Sequence, residues 1–123
     1  KESIERGDHF LFMNGREVFR HAVKRCPETI NESLGFNGLT SEDIDLLVPH
    51  QANLRISDMI QKKMGLPDNK VFNNIQKYGN TTAASIPICL SEAKKEGRIN
   101  NNDLVVCAAF GAGFLWGSTV IKW

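Results

Sequence analysis

Residues 83–90, Ala83-Ala84-Ser85-Ile86-Pro87-Ile88-Cys89-Leu90, are apolar or small on every side for two helical turns. A helix of that composition is normally covered all round, and one sheet face covers only one side of it. A chain of 123 residues and 41% apolar content has room for a single core, and a chain this size buries roughly two-thirds of its unfolded surface. On its own, then, the chain is expected to expose this helix or to pair it with another copy. The helix is physical grounds for reading the chain as part of a larger fold.

The remaining periodicity alternates between two and three-to-four residues. Residues 9–13 form a short apolar run with β-favouring aromatics and predict a strand. Asn14 is placed to cap the next helix, with Glu17 three residues on as a capping-box partner. Val18, Phe19, Ala22, Val23, Cys26, Ile30 and Leu34 give that helix one apolar face; Pro27 predicts a bend or two helical pieces. Residues 44–48 predict a strand stopped by Pro49. A helix follows with Leu54, Ile56, Met59, Ile60 and Met64 inward, ended by Gly65 and Pro67. Residues 71–75 predict a third strand and residues 82–95 a helix. Residues 104–110 and 115–121 predict two strands joined by a glycine turn. The order is β-α-β-α-β-α-β-β. It implies an α/β domain with a five-stranded mixed sheet, parallel except for an antiparallel last strand.

The formal charge of +1 gives no global attraction to nucleic acid or membrane, so an electrostatic partner must meet a local patch. The longest apolar runs fall far short of the ~20 residues that span a bilayer. The start, Lys1-Glu2-Ser3-Ile4-Glu5, lacks an initiator Met and an apolar stretch, which suggests the boundary of a piece of a longer protein. Cys26, Cys89 and Cys107 form neither an even set nor a CxxC pair, and read as buried thiols of a reducing compartment. A nucleophile needs a lowered pKa and an exposed seat at a helix start, and none of the three has that setting. No three or four ligands converge at metal spacing, so no metal is expected.

His50 follows a strand-ending proline in Val48-Pro49-His50-Gln51-Ala52-Asn53, at the carboxyl edge where α/β sheets collect ligands. A lone histidine is more often structural. Asn80, in Tyr78-Gly79-Asn80-Thr81-Thr82, reads first as a turn or helix cap. If Thr81 or Thr82 caps the helix instead, the Asn80 carboxamide is left for a ligand. An imidazole and a carboxamide converging on one carbonyl oxygen can hold an enolate, which is the chemistry of malonyl thioester decarboxylation. His9 and His21 have no such setting. Arg55, Lys62 and Lys63 share one helix and Arg16 and Arg20 another, either an ordinary solvated face or a local basic patch.

These two stretches, with Ala109-Phe110-Gly111-Ala112-Gly113-Phe114-Leu115-Trp116-Gly117-Ser118, resemble the C-terminal half of the β-ketoacyl-acyl-carrier-protein synthase III family, over about residues 10–123. The resemblance implies one half of a thiolase-like fold for residues 1–123, with the nucleophilic cysteine in an absent N-terminal half that also sandwiches the apolar helix. It implies that His50, neutral and donating from Nε2–H, and Asn80 hold the malonyl thioester oxygen. The backbone N–H of Ala112 would serve the second oxyanion hole; Ala112 departs from the three glycines common there. Asn14, Gly15, Phe19, Ala52, Asn53 and Phe110 match positions of the substrate tunnel. Arg20, Arg55, Lys62 and Lys63 match positions that dock the acidic carrier protein. The substrates implied are a starter acyl-CoA and malonyl-acyl carrier protein, with no cofactor beyond their pantetheine thioesters, in a cytoplasmic enzyme that is a homodimer at full length. The alternatives are a synthase III-like enzyme of secondary metabolism and a non-catalytic acyl-CoA or carrier-binding module.

Overall fold

The computed structural model describes residues 1–10 and 12–123. In chain order it contains α1 (Glu2–Glu5), α2 (Gly15–Phe36), β1 (Leu46–Pro49), α3 (Leu54–Met64), α4 (Ile75–Tyr78), α5 (Ser85–Lys95), β2 (Leu104–Gly111) and β3 (Leu115–Lys122). Short 3-10 turns lie at Ser41–Asp43, Asp68–Lys70 and Thr82–Ala84. The strands form one sheet in the order β1-β2-β3, with β1 parallel to β2 and β2 antiparallel to β3. The antiparallel last strand is as the sequence implies.

Strand periodicity divides the core into two layers. Leu47, Val106 and Ala108 face α2 and α3, packing with Ala22, Cys26, Ile30, Leu34, Ile56 and Ile60. Leu46, Val48, Val105 and Cys107 face the other way, onto Phe72, Cys89, Ala93 and Ile99. Side chains that alternate between two buried faces explain why β1 reads as an unbroken apolar run. Leu47 sits at the centre: it pairs with Val106, bridges to Val71, and is fully buried. Leu47→Ala is expected to destabilise the fold by about 3 kcal/mol, read as a lower denaturant midpoint at unchanged slope. A loss below about 1 kcal/mol would place the core's centre elsewhere.

The sheet has three strands rather than five. Among the described residues of the 9–13 run, His9, Phe10, Phe12 and Met13 lie in turn or irregular backbone, and Leu11 is outside the described residues. Phe10, Phe12 and Met13 are exposed, and a β-favouring run with no partner ladder does not become a strand. The 71–75 run makes a single parallel bridge, Val71 to Leu47, with the Phe72 amide donating to the Leu47 carbonyl at 3.0 Å. The ladder stops there because the next backbone donors are taken by a side chain. The Asn74 and Ile75 amides both donate to Gln51 Oε1, each at 3.0 Å, and α4 begins instead.

Two further expectations are corrected in α2. Of the two outcomes expected at Pro27, separate helical pieces are not found: α2 passes through it as one helix of 22 residues. Its buried residues on both sides of the proline, Ala22, Val23 and Cys26 before and Thr29, Ile30 and Leu34 after, hold it against the sheet. Asn14 does cap it, accepting from the Glu17 amide at 3.3 Å, but the reciprocal half of the capping box is replaced. The Glu17 carboxylate pairs with Arg20 at 2.5 Å and lies 3.6 Å from His21.

The segment of residues 83–90, a 3-10 turn running into α5, is covered on one side only. Ser85, Cys89 and Ala93, four residues apart, form its buried stripe, while Ala83, Ala84 and Pro87 are exposed. Among the described residues, no helix is long and apolar enough to cross a membrane.

Candidate functional site

The carboxyl end of β1 and the segment leading into α5 meet at His50. Parallel pairing carries β1 to Pro49, and the His50 amide extends it by donating to the Ala108 carbonyl at 2.8 Å. The half-buried ring places Nδ1 2.6 Å from Ser85 Oγ. The Gln51 amide donates to the same hydroxyl oxygen at 3.3 Å. Burial holds the imidazole below its ordinary pKa, which favours the neutral ring.

Gln51 is 3% exposed, unusual for a carboxamide, and it ties this corner together. Its Nε2 donates to the Pro49 carbonyl at 2.8 Å and to Asn73 Oδ1 at 3.3 Å, while Oε1 takes the two amides that start α4. Glu92 of α5 fixes the rest of α4, accepting from the Tyr78 hydroxyl at 2.6 Å and from Asn74 Nδ2 at 2.9 Å. These hydrogen bonds hold the Glu92 carboxyl below the usual carboxylate range.

From α4 the chain turns through Gly79, at φ +66°, into Asn80. The expected division of labour at this turn is revised. Neither Thr81 nor Thr82 caps the following turn with its side chain; Asn80 Oδ1 accepts from the Thr82 amide at 2.8 Å. The cap uses only the carboxamide oxygen. Asn80 is exposed, and its Nδ2 makes no hydrogen bond among the described residues. Fixing the oxygen orients the amide nitrogen, so the cap and a donor role are compatible. Ser85, five residues after Asn80, holds the His50 ring, and Gln51 ties the end of β1 to the start of α4; among the described residues His50 and Asn80 share no hydrogen bond.

Ala112 lies exposed in the turn between β2 and β3. The positive φ in this turn falls on Gly113, at +141°, so an alanine at 112 is accommodated. Gly113 itself is required: a Cβ there would stand 2.9 Å from Leu115 Cγ.

Of the six tunnel positions, Ala52 and Phe110 line a cavity of ≈ 30 Å³ beside His50, with Val18, Ala22, Cys26, Pro49, Ile56, Ile60 and Ala108. That is room for about one water and far too little for a thioester. Asn14 and Asn53 cap α2 and α3, Asn53 accepting from the Arg55 amide at 3.0 Å. Gly15 opens α2 with nothing within 4 Å of its absent Cβ, and Phe19 packs against the α2–α3 core. Arg55, Lys62 and Lys63 are exposed on α3, the two lysines in its last turn, where they complement the helix dipole. Arg20 is exposed but ion-paired to Glu17. The three thiols are buried, and burial pushes each up to about 11, far from thiolate reactivity.

Residues 34–123 match the family model of the 3-oxoacyl-[acyl-carrier-protein] synthase III C-terminal domain. The chain belongs to this family. A β-ketoacyl-[acyl-carrier-protein] synthase III of Symbiobacterium thermophilum is 50% identical over 122 residues, 99% of this chain and 37% of the relative. The crystal structure of the synthase III of Aquifex aeolicus gives a TM-score of 0.90 at 46% identity, covering 93% of this chain and 37% of that one. The synthase III of Thermus thermophilus gives 0.89 at 49% identity, over 91% of this chain and 35% of that one. The chain thus spans about 37% of the length of the curated relative it matches.

The residues missed by sequence reasoning are Ser85, Gln51, Glu92 and Asn74. Ser85 is lost inside an apolar stretch, and Gln51 looks like an ordinary loop carboxamide until its burial is seen.

Proposed function

We propose that this chain is the C-terminal part of a condensing enzyme that joins a starter acyl-CoA to malonyl-acyl carrier protein. The observation that carries the reading is a half-buried His50 at the strand edge, its pKa lowered by burial and its Nδ1 2.6 Å from Ser85 Oγ, an arrangement that supports Nε2 as the donor. A cysteine in the N-terminal half of the full-length protein takes the acyl group, releasing coenzyme A. Malonyl-carrier protein then enters, and the bond to its carboxylate breaks to release carbon dioxide. His50 Nε2–H and Asn80 Nδ2–H hold the enolate oxygen that forms. The enolate carbon attacks the acyl thioester, whose oxyanion accepts from the Ala112 N–H, and the cysteine thiolate leaves. The product is a 3-oxoacyl-carrier protein. The small cavity at His50 agrees with a site whose other walls lie outside this chain. Partners of the whole protein would be its own N-terminal half, a second subunit and the acidic carrier protein.

The test is product formation by the full-length protein from a panel of acyl-CoA starters and malonyl-carrier protein. The purified chain alone should yield no 3-oxoacyl product; turnover by it, free of full-length enzyme, would refute the assignment of the nucleophile to the other half. A non-catalytic binding module would bind both thioesters and release no carbon dioxide.

Carrier docking gives a separate expectation. Exchanging Lys62 and Lys63 for Glu should raise KM for malonyl-carrier protein at least about fivefold at low salt, leaving KM for malonyl-CoA unchanged. The difference should shrink with added salt. Equal effects on both substrates would remove α3 from the docking surface.

A further inference from the structure

Ser85 is 2% exposed and opens α5, yet its hydroxyl does not cap that helix. It turns instead to the imidazole of His50, 2.6 Å from Nδ1. We propose that the Ser85 hydroxyl is a positioning residue that selects the tautomer of His50, keeping the proton on Nε2, where the enolate oxygen forms. The proposal rests on the enolate-holding role of His50 given above.

The Gln51 backbone N–H can only donate, and it donates to Ser85 Oγ at 3.3 Å. The hydroxyl proton of Ser85 then needs an acceptor, and among the hydrogen bonds Ser85 makes, His50 Nδ1 is the one that can accept. Nδ1 must therefore be bare, and a neutral ring carries its proton on Nε2. In the opposite tautomer, Nδ1–H would donate to Oγ and leave a buried hydroxyl proton unpaired. That disfavours it by roughly tenfold or more. The same segment supplies both parts of the device: Asn80 offers the second donor, and five residues later Ser85 sets the first.

The experiment uses the full-length enzyme labelled with ¹⁵N-histidine, the His50 signals being assigned by their loss in His50→Gln. The wild-type protein should show a bare Nδ1 and a protonated Nε2. Ser85→Ala should mix the two tautomers and lower kcat for malonyl decarboxylation in proportion to the share of rings protonated at Nδ1, about twofold for an even mixture, because a wrongly protonated ring cannot donate. KM for the malonyl thioester and the rate of acyl transfer to the nucleophile should change less than about twofold. Ser85→Thr, which keeps the hydroxyl, should restore a single tautomer. Should Ser85→Ala fold poorly, Ser85→Cys, close in size and a weak donor, should show the same mixing. A Ser85→Ala or Ser85→Cys protein with a pure Nε2–H ring would overturn the proposal. The tautomer is read without turnover, so failure of the decarboxylation reading itself would appear separately, as unchanged activity in His50→Ala.

Discussion

His50→Ala in the full-length enzyme is expected to cut malonyl decarboxylation by about 10²–10³-fold while acyl transfer to the nucleophile changes only a few-fold. The magnitude is that of removing one preorganised donor from a developing oxyanion, roughly 3 kcal/mol. The split follows from where His50 sits. Its ring is held by Ser85 and by the end of β1, and burial lowers its pKa and favours the neutral form, which suits the proposed role of a hydrogen-bond donor in the second half-reaction. The measurement pairs carbon dioxide release with single-turnover acylation. If both steps fell together, His50 would instead be a base for the nucleophile, and the enolate role would pass to Asn80 alone. Asn80→Ala should reproduce the decarboxylation defect, because its carboxamide oxygen is occupied by the Thr82 amide and only its nitrogen is available.

Much of this layout is legible in the sequence, and the failures have physical causes. Residues 46–49 and 104–111 announce themselves as apolar runs because the strands they form are buried on both faces. The one-sided cover of α5 follows from its small and apolar residues meeting one sheet. The two missing strands share a cause: β propensity is a local preference, whereas a ladder needs a partner. Residues 12 and 13 have none, and residues 74 and 75 give their amides to Gln51. His50 and Asn80 stand out through the turns that follow Pro49 and Gly79. Their supports do not, because the roles of Ser85, Gln51 and Glu92 depend on contacts that cross the fold.

Gln51→Leu should be the most damaging polar substitution at this corner, costing about 3 kcal/mol of stability. Leucine fits the volume but accepts nothing, so the Asn74 and Ile75 amides lose their partner where Asn74 is buried. Each orphaned amide costs about 1–3 kcal/mol, offset in part by burying an apolar side chain. The Pro49 carbonyl loses its donor as well, whereas Asn73 Oδ1 keeps the Ser57 hydroxyl at 2.6 Å. The consequence reaches the chemistry because Gln51 joins the strand that ends at His50 to the helix that leads to Asn80. In the full-length enzyme, decarboxylation should therefore fall by more than the loss of folded protein explains, measured well below the new denaturation midpoint. Gln76→Leu is the control: it lies exposed on the same short helix and should shift stability by no more than about 0.5 kcal/mol. Equal midpoints for the two variants would mean that the α4 amides find other partners, and that the geometry between His50 and Asn80 is held by Ser85 and Glu92 without Gln51.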